Sequence, residues 1–344
     1  LSMNKPTIVA IDLDGTLLAD DKSFDRARMV RIVEQLKKQD VHVVACTGNT
    51  VERARLHLGE VWGCIEYLIC DNGAVIVGHD ENSDTLDNVK VLFKQSLKTT
   101  DVHRLAEVLQ QHKPNALNPG EHLVVVFNTD THSYMVEESA PLAESAQKAY
   151  YDNKNLPVPA DETPLGYFEA IYPNIISVTW DEMLEQKADH ITKFALNSHD
   201  YDLVPALVDT ISRNVILPGE TGHNIAFAPS GYGAIAVSPK HINKGTGIRN
   251  LILYSHLAQA VTTLANPSTT PEEGKGSEGN VNTPDLRVIA IGDEGNDLPM
   301  FAYADTAVTP ANAKPEVKAQ ADIVLPGTNN DGAVLDYLEA LIEA

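Results

Sequence analysis

Thr7-Ile8-Val9-Ala10-Ile11-Asp12-Leu13-Asp14-Gly15-Thr16 runs from an uninterrupted apolar stretch straight into two carboxylates and a glycine. An apolar run without polar alternation is the pattern of a strand covered on both faces, as in a parallel sheet flanked by helices. In open α/β sheets the groups that do chemistry gather beyond the carboxyl ends of the strands, where Asp12 and Asp14 stand. Two carboxylates two residues apart can share a divalent cation, or one can attack phosphorus while the other serves as general acid and base. Gly15 permits the tight turn that brings them together. A solvated acidic loop is the plain alternative for a bare Asp-x-Asp; the buried strand before it and the Gly-Thr after it weigh against that.

Working outward, Phe24–Lys38 has helical spacing at Phe24, Ala27, Val30, Val33 and Leu36, with Ser23 as the expected N-cap. Val41–Cys46 is a second buried strand, followed by a helix that Thr50 can cap and Gly59 can end, and Tyr67–Cys70 is a third. This alternation predicts right-handed βαβ units and a doubly wound parallel sheet of α/β class. The rhythm breaks after Asn72-Gly73-Ala74, where the polar stretch His79–Asn88 suggests that the chain leaves the sheet. Strands are expected at Val89–Gln95, His122–Asn128, Ile175–Trp180, Asn214–Leu217, Ile225–Ala228 and Ala234–Val237. Helices are expected between them at Val102–His112, Ala140–Tyr150, Asp181–Asn197 and Tyr201–Ser212. The α/β rhythm resumes with a helix from Lys244 to about Ala265, an aperiodic loop over Asn266–Asp285, and the buried strand Arg287–Ile291. The expected organisation is therefore a Rossmann-like core from residues 1–79 and 242–344, with an α+β domain inserted at 80–241.

Ile289-Ala-Ile-Gly292-Asp293-Glu294-Gly295-Asn296-Asp297 repeats the opening design: a buried strand, a glycine turn, then carboxylates at a helix start. If its strand neighbours the first, Asp293 completes a cation site with Asp12 and Asp14, and oxygen donors with open positions suit magnesium. Helix capping by Asn296 or Asp297 accounts for part of the same pattern. Thr47-Gly48-Asn49-Thr50 follows the second strand and opens a helix, so a hydroxyl and backbone N–H groups face the place a phosphate would take. Lys244-Gly245 stands where the insert ends and a helix begins, and its ammonium can neutralise charge on a phosphoryl group.

Lys and Arg number 26 against 48 Asp and Glu, a net charge of −22, and there is no basic cluster. That balance argues against nucleic acid or an anionic membrane surface as partner. Three cysteines, Cys46, Cys64 and Cys70, match neither a disulfide framework nor a zinc pattern and fit a reducing compartment. Ile8–Ile11 is too short for a signal segment or a membrane span, and a cytoplasmic protein is expected. Nothing in the sequence specifies an oligomeric state.

The segments around Asp12, Thr47, Lys244 and Asp293, in this order, resemble the motifs of the haloacid dehalogenase superfamily of aspartate-nucleophile phosphatases. The large insert resembles that of the Cof-like subgroup of sugar-phosphate phosphatases, and Ala311-Asn312-Ala313 through Asp331-Gly332 also looks familial. The resemblance implies that Asp12 becomes an aspartyl-phosphate and that Asp14 protonates the leaving oxygen and then activates water. Thr47, Gly48, Lys244 and Asn296 would hold the phosphoryl group. Magnesium would be held by Asp12, the backbone carbonyl of Asp14, and Asp293, with Asp297 in support. Many relatives carry Arg where this chain has Asn49, so one anion contact of the family is missing. The implied function is a magnesium-dependent phosphatase acting on a small phosphorylated metabolite such as a sugar phosphate. The rivals are a phosphomannomutase-like phosphotransferase and a non-catalytic sugar-phosphate sensor. The insert is expected to act as a cap that selects the leaving group.

Overall fold

The computed structural model describes residues 5–82, 88–220, 223–230, 233–258 and 286–343. Thr7–Ile11 forms β1, buried along its whole length. Arg26–Lys38 forms helix α1. The helix starts later than its apolar spacing suggests: the Ser23 hydroxyl is taken up by Asp21, and Asp25 caps instead, accepting from the Arg28 N–H at 2.8 Å. There follow β2 (Val41–Cys46), α2 (Val51–Leu58), β3 (Tyr67–Cys70), β4 (Val75–His79) and β5 (Val89–Lys94).

The insert carries α3 (Thr99–Gln110), β6 (Leu123–Asn128), β7 (Ser133–Val136), α4 (Ala143–Asn153), α5 (Pro164–Ile171), β8 (Ile176–Val178), α6 (Trp180–Gln186), β9 (Lys193–Ser198), α7 (Val204–Val215), β10 (Ile225–Pro229) and β11 (Ala234–Pro239). The chain then continues through α8 (Lys244–Tyr254), β12 (Arg287–Ile291), α9 (Leu298–Tyr303), β13 (Thr306–Thr309), α10 (Pro315–Lys318), β14 (Ile323–Val324) and α11 (Ala333–Glu343).

The chain divides into two compact units, one of Leu1–Asn49, Ala54–Phe93 and Asn243–Ala344, the other of Lys94–Ile242 with Thr50–Arg53. The first holds an eight-stranded sheet in the order β14-β13-β12-β1-β2-β3-β4-β5. β1 pairs in parallel with β12 on one side and β2 on the other, with Ile11 opposite both Ile291 and Ala45. This register sets Asp12 level with Gly292 and Cys46, so the loops after β1, β12 and β2 open at one edge. The sheet does not end where the α/β rhythm breaks. β4 turns back antiparallel on β3, and β5, placed by its sequence in the insert, is the eighth strand of this core sheet. The β3–β4 reversal passes through Asp71, Asn72 and Gly73, all with positive φ. A Cβ on Gly73 would stand 2.4 Å from the Asn243 carbonyl oxygen, so only glycine fits there.

The second unit holds a six-stranded sheet, β10-β11-β9-β6-β7-β8, antiparallel except for the β7–β8 pair. Alternate residues of β6 serve two cores. Val125 and Phe127 pack with α3 and α7, and Val124 and Val126 pack with α4 and α5. Two expectations fail in this unit. The helix expected over Asp181–Asn197 ends at Gln186, and Lys193–Ser198 is the central strand β9. With β6 and β11 on either side and both faces covered, β9 has no alternation to announce it. Asn214–Leu217 is not a strand, because Leu207, Ile211 and Val215 continue one apolar helical stripe to the end of α7. The helix expected from Lys244 to about Ala265 ends at Tyr254, where Ser255 turns extended and His256–Ala258 makes a short 3-10 turn; residues 259–265 and the loop Asn266–Asp285 lie outside the described residues. No described helix is long and apolar enough to cross a membrane.

Candidate active site

Lys244 opens α8 with its side chain fully buried, and it is the centre of the arrangement. Its Nζ donates to Asp12 Oδ1 at 2.6 Å and to Asp297 Oδ1 at 2.5 Å. The other Asp297 oxygen accepts from the backbone N–H groups of Asp293 at 2.8 Å and Glu294 at 3.0 Å, which closes the turn after β12. Asp297 thus ties that turn to the lysine. Thr16 donates its hydroxyl to Asp293 Oδ1 at 2.6 Å. Gly15 has φ +74, and a Cβ there would lie 2.5 Å from Asp293 Oδ2, so this glycine lets the loops after β1 and β12 meet.

Asp12, Asp293 and Asp297 are all buried, and each offers a carboxylate oxygen within 4.8 Å of the other two. Three carboxylates face one ammonium, an excess of negative charge that a low-dielectric site does not tolerate unaided. Burial, reinforced by Asp297, pushes the Asp12 carboxyl well above its ordinary range against the pull of Lys244. Asp293 is pushed up to about 6, chiefly by burial, although the Thr16 hydroxyl favours its ionised form. Burial would lower Lys244, but Asp12 and Asp297 outweigh it and keep the ammonium charged. A divalent cation among these oxygens would remove the excess, and an all-oxygen donor set suits a hard ion.

The Asp14 carboxylate lies apart from this cluster and is about one-third exposed. Lys22 Nζ donates to its Oδ1 at 2.6 Å, and Asn49 Nδ2 to its Oδ2 at 2.9 Å. Thr47 is buried at the end of β2, and its hydroxyl accepts from the Asn49 N–H at 3.1 Å. A Cβ on Gly48 would stand 3.1 Å from Asn72 Oδ1, which also accepts from Asn296 Nδ2 at 3.2 Å. The structure thereby brings Gly48 and Asn296 to one place through Asn72. Cys46 is a buried thiol pushed up by burial, not a poised nucleophile.

Thr16, Lys22 and Asn72 take part here without having been singled out by sequence. Asn72 was legible only as half of an Asn-Gly turn, and Lys22 as one lysine among loop acids.

The sequence model of the haloacid dehalogenase-like hydrolases matches residues 9–262 and 279–338. The chain belongs to this family. Among curated proteins it is 20% identical over 336 residues to the 5-amino-6-(5-phospho-D-ribitylamino)uracil phosphatase YbjI of Escherichia coli, covering 98% of this chain and 96% of that one. It is 21% identical over 335 residues to YitU of Bacillus subtilis, which carries the same phosphatase name, covering 97% of each. Among solved structures, a haloacid dehalogenase-like hydrolase from B. subtilis superposes with a TM-score of 0.65 at 18% identity over 97% of this chain and 99% of that one. A sugar phosphatase of subclass IIB superposes at 0.62 and 15% identity over 97% and 98%. The protein is an enzyme of this family's phosphatase class.

In this haloacid dehalogenase-like hydrolase the segment from Ala311 to Gly332 has a definite task. Asn312 Nδ2 donates to the Gly15 carbonyl at 2.8 Å, Asn329 Nδ2 donates to the Leu18 carbonyl at 3.0 Å, and the Asn329 N–H joins the two through Asn312 Oδ1 at 2.9 Å. The loop bearing Asp14 is thus fixed by side-chain amides from the far end of the chain.

Proposed function

We propose that this protein is a magnesium-dependent phosphatase that hydrolyses a small phosphorylated metabolite, of the sugar-phosphate kind, through an aspartyl-phosphate on Asp12. The observation that carries the reading is the fully buried Lys244 ammonium, hydrogen-bonded to Asp12 at 2.6 Å inside a cluster of carboxylates. A buried lysine beside a prospective nucleophile supplies positive charge where phosphoryl oxygens would gather. Asp12, the Asp14 backbone carbonyl and Asp293 are assigned to the cation, with Asp297 supporting through Lys244 and the turn after β12. When bound, magnesium supplies charge neutralisation of the phosphoryl oxygens.

In this reading an Asp12 oxygen attacks phosphorus, and the bond from phosphorus to the ester oxygen breaks as Asp14 gives that oxygen a proton. Asp14, now ionised, takes a proton from water as the water oxygen attacks phosphorus and releases Asp12. Thr47, Gly48 and Asn296 are assigned to the phosphoryl oxygens. The inserted domain is assigned the choice of leaving group. The names of the relatives, one a ribitylamino phosphate phosphatase and one a sugar phosphatase, favour phosphorylated polyols and sugars as the first substrates to try.

The test is phosphate release from a panel of phosphorylated metabolites and from an aryl phosphate, with magnesium and with EDTA. Turnover that needs magnesium and is abolished in Asp12→Asn is expected. Undiminished turnover in EDTA or in Asp12→Asn would overturn the reading.

A further inference from the structure

Lys22 sits at φ +68, the left-handed region that a long side chain seldom occupies. The loop that carries it is built to hold it there. The Ala19 N–H donates to the Ser23 carbonyl and the Lys22 N–H to the Ala19 carbonyl, both at 2.9 Å. Asp21 Oδ1 accepts from the Ser23 N–H at 2.9 Å. Asp20 is gripped from the C-terminal segment: its two oxygens accept from Asn329 at 3.0 Å and Asn330 at 3.1 Å, and its N–H donates to Asn330 Oδ1 at 2.9 Å. The outcome of all this fixing is the placement of one ammonium 2.6 Å from Asp14 Oδ1. From the opposite strand end, Asn49, which stands where many relatives have arginine, takes Oδ2 at 2.9 Å.

We propose that Lys22 and Asn49 are positioning residues for Asp14. The inference rests on the phosphatase reading, in which Asp14 protonates the leaving oxygen. A carboxyl group on a partly exposed loop end can turn freely about its side-chain bonds. Two donors of different kind, one on each oxygen, fix its plane and its distance from the Asp12 cluster. The amide of Asn49 is neutral and short, and its backbone is itself held by Thr47, so it is the fixed contact. Lys22 reaches on a flexible stem and is the contact that loosens while Asp14 carries its proton and closes as that proton leaves for the ester oxygen. That proton goes to the ester oxygen as the phosphorus–oxygen bond breaks, which leaves an alcohol and the Asp14 carboxylate.

Placement of a general acid matters most when the leaving group is poor, because a stabilised aryloxide departs without a proton. The experiment therefore compares the burst of alcohol release, the step that phosphorylates Asp12, for an alkyl phosphate and for p-nitrophenyl phosphate. It does so in wild type, Lys22→Gly, Lys22→Arg and Asn49→Ala at saturating magnesium. Lys22→Gly removes the ammonium and also relieves the left-handed backbone, so its melting temperature should match or exceed that of wild type. The expected result is a burst slowed about tenfold or more for the alkyl ester in Lys22→Gly and Asn49→Ala, a share of the ~100-fold or greater effect of general acids. The aryl burst should change by less than about threefold, and Lys22→Arg should recover most of the alkyl rate. Equal slowing of both esters, or no slowing in either variant, would overturn the proposal while leaving the phosphatase reading intact. Absence of any alcohol or phosphate release from wild type with every ester would instead overturn the phosphatase reading.

Discussion

At the scale of single residues, the site depends on one cation and one missing side chain. Lys244 holds Asp12 and Asp297 together in a place without solvent, and removing one partner of a buried ion pair leaves the others uncompensated. Lys244→Met should therefore cost about 3–5 kcal/mol of stability in urea unfolding without metal, and should remove phosphate release. A stability within about 1 kcal/mol of wild type would show that the ion pair is not what organises the cluster. Gly15 makes a different demand. An alanine there meets both an unfavourable φ of +74 and Asp293 Oδ2 at 2.5 Å. Gly15→Ala should cost about 1–3 kcal/mol and should also weaken magnesium binding by displacing Asp293. Isothermal titration with magnesium checks the second effect, and an unchanged affinity would mean that the loop yields without moving the carboxylate.

At the scale of elements, the starts of β2 and β3 carry a charged cluster far along the strands from the site. His42 Nδ1 meets Glu66 at 2.9 Å and its Nε2 meets Asp40 at 3.1 Å, while Lys37 reaches Glu66 at 2.8 Å. Burial works to lower His42, but the bonds to Glu66 and Asp40 prevail and raise it above its ordinary 6.5. Glu66 is lowered to about 2 from 4.5, first by the bond from His42 despite its partial burial. The raised histidine stabilises the fold fully below pH 6.5 and ceases to do so as pH climbs through its folded value. The lowered glutamate stabilises above pH 4.5 and ceases to do so as pH falls towards about 2. The joint contribution is greatest between about 4.5 and 6.5. Denaturant midpoints of wild type and His42→Gln should converge as pH rises from 6.5 through the raised value of His42; a constant gap would mean that His42 stabilises only as packing. The elements also show what the sequence could convey. β1, β2 and β12 announce themselves because a strand covered on both faces next to turn residues has few other readings. The carboxylates at their ends were legible for the same reason. β9 has only Phe194, Ala195 and Leu196 as apolar residues and follows a helix without a strong turn signal, so its period is ambiguous. β5 has a patchy mixture of burial that does not reveal which sheet it joins. Of the site, the residues that follow strands were legible, whereas Thr16 and Asn72 depend on long-range meetings such as Thr16 with Asp293, and Lys22 reaches the nearby Asp14 through a left-handed turn that its own side chain does not announce.

At the scale of the whole molecule, the net charge of −22 sets the terms on which an anionic ester arrives. The positive groups assigned to the phosphoryl oxygens are few and act at contact distance, and Lys244 is already neutralised by its own carboxylates. Out to roughly a Debye length, about 10 Å at 0.1 M salt and about 30 Å at 0.01 M, an approaching dianion meets mainly the repulsion of the acidic surface. Added salt screens that repulsion without touching the short-range contacts made once the ester is bound. With free magnesium held constant, kcat/KM for a dianionic phosphate monoester should therefore rise between about 10 and 150 mM potassium chloride. The rise should appear in KM, with kcat nearly constant, because Asp12, the proposed attacking group, is buried where salt does not screen it. Most enzymes that bind phosphate through basic clefts show the opposite slope, since their long-range field attracts. A fall of kcat/KM with salt would mean that a local positive field around the bound cation reaches past the acidic surface and steers the ester in.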